Sequence, residues 1–189
     1  MDNIKTVIIL AGGKSKRMGF NKEDIIIGDE YIVHKTIRKL APIFKEIIVV
    51  TNNPLRYKDM GVITTKDTLV SKSPLVGLHA GLLKSSSKFN FLLACDMPII
   101  DVDLIKEIDM LVTNEESINF LNSGYIEPFY GVYNIDLVPK IELAIKEKKY
   151  KFTAFIESIN SSKISFKINH KNVFQNLNTL DQLKNYRGE

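Results

Sequence analysis

The stretch Thr6-Val-Ile-Ile-Leu-Ala-Gly-Gly13 indicates the fold class. Its apolar run is nearly continuous and ends at two glycines, which is typical of a strand buried on both faces of a parallel sheet. Apolar runs of strand length recur at 46–50 and 89–94, and they alternate with helical spacing over 31–44 and 102–112. This alternation predicts a mostly parallel sheet with helices on both faces, a Rossmann-like three-layer α/β/α sandwich.

The rest of the chain continues the alternation. Further strands are predicted at 62–65, 127–133 and 163–168, and further helices at 74–84, 136–146, 153–159 and 180–186. Residues 113–126 and 169–179 are polar and are predicted to be loops. A length of 189 residues without repeats or linkers predicts a single domain, 1–189.

Composition excludes several classes of protein. The 26 basic and 22 acidic residues are mixed along the chain, so the net charge of +4 does not indicate a nucleic-acid-binding patch. No apolar run approaches the roughly 20 residues that span a bilayer. The first residues lack the long apolar region of a signal peptide. We therefore expect a cytoplasmic protein without nucleic-acid or membrane partners, and its single cysteine allows no internal disulfide.

The loop after the first strand suggests phosphate binding, although not by a P-loop. The string Gly13-Lys-Ser15 would require a glycine at position 8 to complete a P-loop, and that residue is Ile8. The dinucleotide pattern G-x-G-x-x-G is also missing. Adjacent glycines allow a ligand to approach the backbone closely, and their N–H groups suit phosphate oxygens. Four basic residues add positive charge: Lys14, Lys16, Arg17 and Lys22. A plain strand-to-helix turn with surface lysines is the alternative.

Polar residues also follow the other strong strands. Thr51-Asn52-Asn53 follows the second strand, Lys66-Asp67 the short strand, and Cys95-Asp96-Met97-Pro98 the third strong strand. Ligands of open parallel sheets bind at the carboxyl ends of the strands. We therefore expect these junctions to meet at one edge and to form the site.

Asp96 is the candidate metal ligand. It directly follows a buried strand, and Pro98 prevents that strand from continuing. A rigidly held carboxylate suits Mg²⁺, which takes one or two carboxylates together with substrate phosphates. A helix cap or a turn is the alternative role. Cys95 is expected to be a small buried residue rather than a nucleophile.

These motifs resemble those of a known family. The signature L-A-G-G-x-x-x-R-M-G-x-x-K of nucleotidyltransferases that use an NTP is matched by Leu10, Ala11, Gly12, Gly13, Arg17, Met18, Gly19 and Lys22. Further similarities are Pro74-Leu-Val-Gly77, Cys95-Asp-Met-Pro98, Glu127-Pro128 and the N-L-N-T string at 176–179. Over nearly its whole length, the chain resembles the MobA-like nucleotidyltransferases, and among them the molybdenum cofactor guanylyltransferases.

The resemblance implies a fold, a reaction and roles for particular residues. The fold is that of the nucleotide-diphospho-sugar transferases. The reaction is transfer of GMP from GTP to the phosphate of molybdopterin or its molybdenum form, with Mg²⁺ and release of pyrophosphate. Residues 1–112 would bind GTP and the metal, residues 113–189 would form the pterin side, and other molybdenum-cofactor biosynthesis proteins would be transient partners.

Each role falls on residues of the matched motifs. Catalytic roles fall on Arg17, Lys22 and Asp96, with Asp96 also the metal ligand. GTP contacts fall on Leu10, Ala11, Gly12, Gly13, Lys22, Thr51, Asp67, Gly77 and Asp96. Pterin contacts fall on Asn176 and Asn178.

Several alternatives remain open at this point. The signature does not select the base, so cytidylyl transfer to molybdopterin and guanylyl transfer to a cobamide or sugar phosphate are rivals, as is a non-catalytic nucleotide-binding regulator. Asn21 stands where the isoprenoid cytidylyltransferases have proline, which argues against that group. Guanylyltransferases often have asparagine in place of Thr51, and neighbouring Asn52 or Asn53 would then contact the base. The two motif asparagines would otherwise be loop residues before a helix capped by Thr179.

Overall fold

The computed structural model describes residues 1–12, 21–69, 73–165 and 172–186. The strands are β1 (Ile4–Leu10), β2 (Ile26–Ile27), β3 (Glu30–Tyr31), β4 (Glu46–Val50), β5 (Ile63–Thr65), β6 (Phe89–Ala94), β7 (Ser117–Asn122), β8 (Tyr125–Asn134) and β9 (Ser161–Ser165). The helices are α1 (Ile32–Leu40), α2 (Pro74–Leu82), α3 (Val102–Met110), α4 (Val138–Lys146), α5 (Phe152–Glu157) and α6 (Leu180–Asn185). Short 3₁₀ turns lie at Lys22–Asp24, Pro54–Tyr57 and Ile135–Leu137.

A seven-stranded sheet forms the middle layer, in the order β5-β4-β1-β6-β8-β7-β9. Every strand runs in the same direction except β8, which is antiparallel to both β6 and β7. A separate two-residue hairpin joins β2 to β3. The predicted single-domain, mostly parallel α/β fold is confirmed. Within the described ranges, no helix combines the length and the apolar composition needed to cross a membrane.

Both faces of the sheet are covered because its central strands are apolar on both sides. Along β1, Val7 and Ile9 pack into a core shared with α1 and α3, whereas Ile8 packs on the opposite face with α2, α4 and α5. Helix α2 lies unusually close to β1. A Cβ on Gly81 would lie 2.4 Å from Cγ2 of Ile8, so this contact requires glycine. Helix α2 therefore packs directly against the centre of the sheet.

One predicted loop contains a strand instead. Residues 113–126 include all of β7, which pairs with β8 and β9, so the prediction of a loop there is wrong. Its polar residues are buried and bonded to each other. Ser117 donates to Oδ1 of Asn119 at 3.0 Å, and Nδ2 of Asn119 donates to the Tyr133 hydroxyl at 2.8 Å. The predicted strand at 163–168 is observed as β9, with its last three predicted residues outside the described ranges.

Candidate active site

Four parallel strands end at the same level of the sheet. The register pairs Thr65 with Val50, Val50 with Leu10, and Leu10 with Ala94. The second residue after each strand end therefore falls in one line along the edge. We call these four residues the strand-end row: Asp67, Asn52, Gly12 and Asp96. The structure thus brings together the junctions that the sequence marked as polar.

Asp96 is the most deeply buried charged group of this row. Its Oδ2 accepts a hydrogen bond from the Lys22 ammonium, and the two side chains are 1% and 31% exposed. Its Oδ1 is buried without a hydrogen-bond partner among the described residues. Buried carboxylate oxygens are normally bonded, so an unpartnered one indicates that a ligand or ion completes its environment. Asp96 therefore fits a divalent cation.

The donor set is also appropriate for such a cation. Among the described residues, no group of three or more metal-binding side chains occurs, so the protein offers no complete cage. Mg²⁺ is commonly held by one or two carboxylates, several waters and the phosphates of the substrate. A single buried carboxylate matches the protein's share of that pattern.

Lys22 owes its position to an anchored turn. The carboxylate of Glu23 is buried, and its Oε2 accepts hydrogen bonds from Oγ1 of Thr51 at 2.7 Å and from the hydroxyl of Tyr57 at 3.0 Å. Burial and the adjacent Glu23 carboxylate raise the pKa of Tyr57, which keeps its hydroxyl a donor. Arg56 also binds the main-chain oxygen of Glu23. Glu23 was not predicted from the sequence because its partners lie 28 and 34 residues away.

The side chain of Thr51, which is a predicted GTP contact, forms hydrogen bonds within the protein. The side chain of Thr51 is buried, and its hydroxyl donates to Glu23 and accepts from the amide of Asn53 at 2.9 Å. The main-chain N–H of Thr51 is also used, since it donates to the main-chain oxygen of Thr65 at 2.8 Å. Asn52 is exposed, and its Nδ2 lies 4.0 Å from the position of a Cβ on Gly12. The amide next to the glycine loop is therefore that of Asn52.

The N–H group of Gly12 was expected to suit a phosphate oxygen, and the structure differs from this expectation. Its N–H does not point free toward a phosphate but donates to the Val50 carbonyl at 3.0 Å, as does the N–H of Ala11. A Cβ on Gly12 would lie 3.7 Å from that carbonyl oxygen, an ordinary contact. Internal packing thus does not demand glycine here, and the missing side chain leaves room beside the row. Gly13 and Arg17 lie outside the described residues.

Leu10, Asp67 and Gly77 meet where α2 begins. A Cβ on Gly77 would lie 3.0 Å from Cδ2 of Leu10 and 3.8 Å from Oδ1 of Asp67. The helix is capped by Ser73, whose hydroxyl accepts from the amide of Leu75 at 3.2 Å. Partial removal from water raises the pKa of Asp67. The small residue at position 77 lets the start of α2 approach the strand-end row.

The N-L-N-T segment at 176–179 contacts the main chain of Asp96. The amide of Leu177 donates to the main-chain oxygen of Asp96 at 2.9 Å. Thr179 caps α6 in a reciprocal capping box with Gln182, which confirms the predicted cap. The side-chain amides of Asn176 and Asn178 have no hydrogen-bond partner within 172–186 or the other described ranges. Both residues are half-buried.

Two further residues near the row were not assigned a site role from the sequence. Glu127 is half-buried, and its burial together with the Asp96 carboxylate raises its pKa. His79 lies on α2. It is buried, with Nε2 3.0 Å from Oε1 of Glu142 and Nδ1 3.3 Å from the hydroxyl of Thr68. These contacts tie α2 and α4 to the loop that carries Asp67.

Cys95 lies in the core beside Asp96. It is buried, and burial raises the pKa of its thiol, followed by the effect of the Asp96 carboxylate. A thiol in this state is a poor nucleophile at neutral pH. The predicted packing role of Cys95 is confirmed by its position in the core between β1 and β6.

Comparison with known proteins identifies relatives over almost the full chain. The model of the MobA-like NTP transferase domain matches residues 7–161. A probable molybdenum cofactor guanylyltransferase of Peptoclostridium acidaminophilum is 37% identical over 193 residues, covering 96% of this chain and 87% of that protein. A molybdenum cofactor guanylyltransferase of Syntrophotalea carbinolica is 32% identical, covering 96% of this chain and 90% of that protein.

Solved structures share the fold. The molybdopterin-guanine dinucleotide biosynthesis protein A of Archaeoglobus fulgidus superposes with a TM-score of 0.80 at 19% identity, and the match covers 95% of both chains. The 4-diphosphocytidyl-2C-methyl-D-erythritol synthase of Anaerococcus prevotii superposes with a TM-score of 0.72 at 12% identity, covering 96% of this chain and 93% of that one. At these identities the likeness concerns the fold alone and does not distinguish a guanine from a cytosine nucleotide.

Proposed function

Because the chain belongs to the MobA-like NTP transferase family, we propose that it transfers GMP from GTP to the phosphate of molybdopterin or its molybdenum form, releasing pyrophosphate. The observation that carries the proposal is the position of Asp96. Its buried, unpartnered oxygen lies at the same sheet edge as the open face of Gly12, next to the Lys22 ammonium.

The reaction brings anionic groups together. A phosphate oxygen of the acceptor attacks the α-phosphorus of GTP, a new P–O bond forms, and the bond to the pyrophosphate oxygen breaks. The site has to reduce charge repulsion and hold the three groups in line. Lys22 supplies a point charge that the anchored 22–24 turn holds in place, and Gly12 leaves space for the triphosphate.

Mg²⁺ would be held by Oδ1 of Asp96, the buried oxygen that no described residue satisfies. When bound, it polarises and orients the α-phosphoryl group. Asp96 itself then links two cationic partners, because its other oxygen keeps the hydrogen bond to Lys22. The shared carboxylate would hold both charges close to the reacting phosphate.

The remaining assignments follow the motifs. Gly13 and Arg17 would complete the phosphate contacts, and Asp67 with Gly77 would contact the nucleoside side of GTP. Asn176 and Asn178 would contact the pterin, with residues 113–189 as the acceptor half and 1–112 as the GTP half. The hydrogen bond from the amide of Leu177, which lies between the two asparagines, to the main-chain oxygen of Asp96 supports this proposal. Cytoplasmic location and contacts with other molybdenum-cofactor biosynthesis proteins stay predictions.

Nucleotide-dependent stabilisation tests the choice of base. With Mg²⁺ and equal concentrations of GTP, CTP and ATP, we expect GTP to raise the melting temperature most, since only a ligand that binds the native state stabilises it. Gly12→Ala should lose this shift and keep the melting temperature of the free protein. A clear preference for CTP would support cytidylyl transfer instead.

A second experiment separates an enzyme from a non-catalytic regulator. GTP-dependent release of pyrophosphate with purified molybdopterin is expected of the enzyme. A regulator would bind the nucleotide without releasing pyrophosphate. A cobamide or sugar phosphate as the better acceptor would support the other guanylyl-transfer rivals.

A further inference from the structure

We propose that Glu127 is a second carboxylate ligand of the divalent cation, opposite Asp96 on the neighbouring strand. The proposal rests on the proposed function, because it concerns the metal of that same site. It adds a residue without a site role predicted from the sequence. Glu127 is half-buried, and its burial together with the Asp96 carboxylate raises its pKa.

The sheet topology places Glu127 at the same edge as Asp96, on the strand next to β6. Strands β6 and β8 are antiparallel, and Leu93 pairs with Tyr130. Asp96 lies three residues after Leu93, and Glu127 lies three residues before Tyr130. Both residues therefore lie beyond this last pair, at the same edge of the sheet, and β8 bulges at 128–130 between the pairing of Gly131 with Asn119 and that of Glu127 with Phe120.

The Glu127 side chain is held in a defined direction. Its Oε1 accepts a hydrogen bond from the amide of Phe129 at 3.1 Å, and its backbone remains in β8 opposite Phe120. A carboxylate fixed through one oxygen keeps its other oxygen for a ligand. The fully buried Oδ1 of Asp96, which has no partner among the described residues, provides the second coordinating atom.

The charges of Glu127 and Asp96 also favour a cation between the two carboxylates. Lys22 is bonded to Asp96, whereas no lysine or arginine of the described residues forms an ion pair with Glu127. A second carboxylate beside an incoming triphosphate would repel it. A divalent cation removes this conflict, since two carboxylates and substrate phosphates are an ordinary Mg²⁺ environment.

Metal affinity tests the assignment without relying on turnover. Mn²⁺ is titrated into the full-length protein saturated with GTP, and bound Mn²⁺ is measured by electron paramagnetic resonance. The variant Glu127→Gln keeps the acceptor for Phe129 but loses the charge. We expect its Mn²⁺ affinity to fall about 10–100-fold, the range found when groups that support a metal site are altered. Glu107→Gln is the matched control, because Glu107 is an exposed residue of α3.

The outcomes separate this inference from the proposed function. Wild-type Mn²⁺ affinity in Glu127→Gln, with loss of affinity in Asp96→Asn, would overturn the role of Glu127 and leave the proposed function intact. Absence of Mn²⁺ binding in the wild-type GTP complex would overturn both. Glu127→Asp serves as the second variant: its shorter carboxylate is expected to bind Mn²⁺ more tightly than glutamine does, whereas a purely structural role predicts that the two variants bind Mn²⁺ equally.

Discussion

Replacing Lys22 by methionine tests how the protein holds the charge of Asp96 before any ligand binds. Methionine keeps most of the apolar stem of lysine and removes the ammonium. The two partners are unequally exposed, at 31% for Lys22 and 1% for Asp96. Lys22→Met therefore leaves the buried Asp96 carboxylate without its cationic partner. Replacing Asp96 by asparagine instead leaves an ammonium that water can reach.

The burial of the two side chains determines how much stability each substitution is expected to cost. Removing one partner of a fully buried ion pair costs about 3–5 kcal/mol because a charge is left uncompensated. Water reaches Lys22, which weakens the pair, so we expect about 1–3 kcal/mol for Lys22→Met. In a domain of this size, that lowers the melting temperature by roughly 2–10 °C. Asp96→Asn removes the buried charge but keeps the shape of the side chain, and we expect a change within about 1 kcal/mol.

Urea unfolding of the free protein measures these differences in a double-mutant cycle. The account predicts that Lys22→Met is the more harmful single change and that adding Asp96→Asn restores most of the lost stability. Glu107→Gln again provides a surface control. The reasoning is refuted if Asp96→Asn costs more than Lys22→Met, or if the two changes are simply additive.

Three other outcomes follow from the described contacts. Gly131→Ala should lower the free energy of unfolding by about 1–3 kcal/mol, since its Cβ would lie 2.8 Å from the main-chain oxygen of Ile118, whereas Gly12→Ala should leave urea unfolding unchanged. Thr51→Val should cost about 1–3 kcal/mol by leaving the Glu23 carboxylate short of a donor, and Thr51→Ser should recover most of this loss. Burial raises the pKa of Asp67, so its ionised form opposes folding. Asp67→Asn should therefore stabilise the free protein at pH 7. This gain should fade as the pH falls toward about 4, the ordinary pKa of an aspartate. Equal stability of wild type and Asp67→Asn at every pH would contradict the last expectation.

The sequence predicted the parallel half of the fold well because its strands are continuous apolar runs. The bounds predicted for the strands at 46–50 and 89–94 coincide with β4 and β6. Strand β7 was missed because Ser117 and Asn119 look like loop residues. Both are buried, and they are satisfied by each other and by Tyr133, a partner that local patterns do not reveal.

The site was predictable to the extent that ligands gather after parallel strands. Asp67, Gly12 and Asp96 were found in this way. Glu127 was not, because it lies near the start of an antiparallel strand and reaches the same edge only through the register of β8. The hydrogen bonds of the Thr51 hydroxyl and the Gly12 amide were also not predicted, since their partners are distant in sequence.

Transfer of a labelled guanylyl group tests the central claim most directly. GTP labelled at the α-phosphate is incubated with the protein, Mg²⁺ and purified molybdopterin, and the label in the dinucleotide product is counted against released pyrophosphate. The account predicts one labelled product per pyrophosphate, and a loss of about 10²–10³-fold in turnover for Asp96→Ala. Label transfer by Asp96→Ala at the wild-type rate, or pyrophosphate release without labelled product, would contradict it.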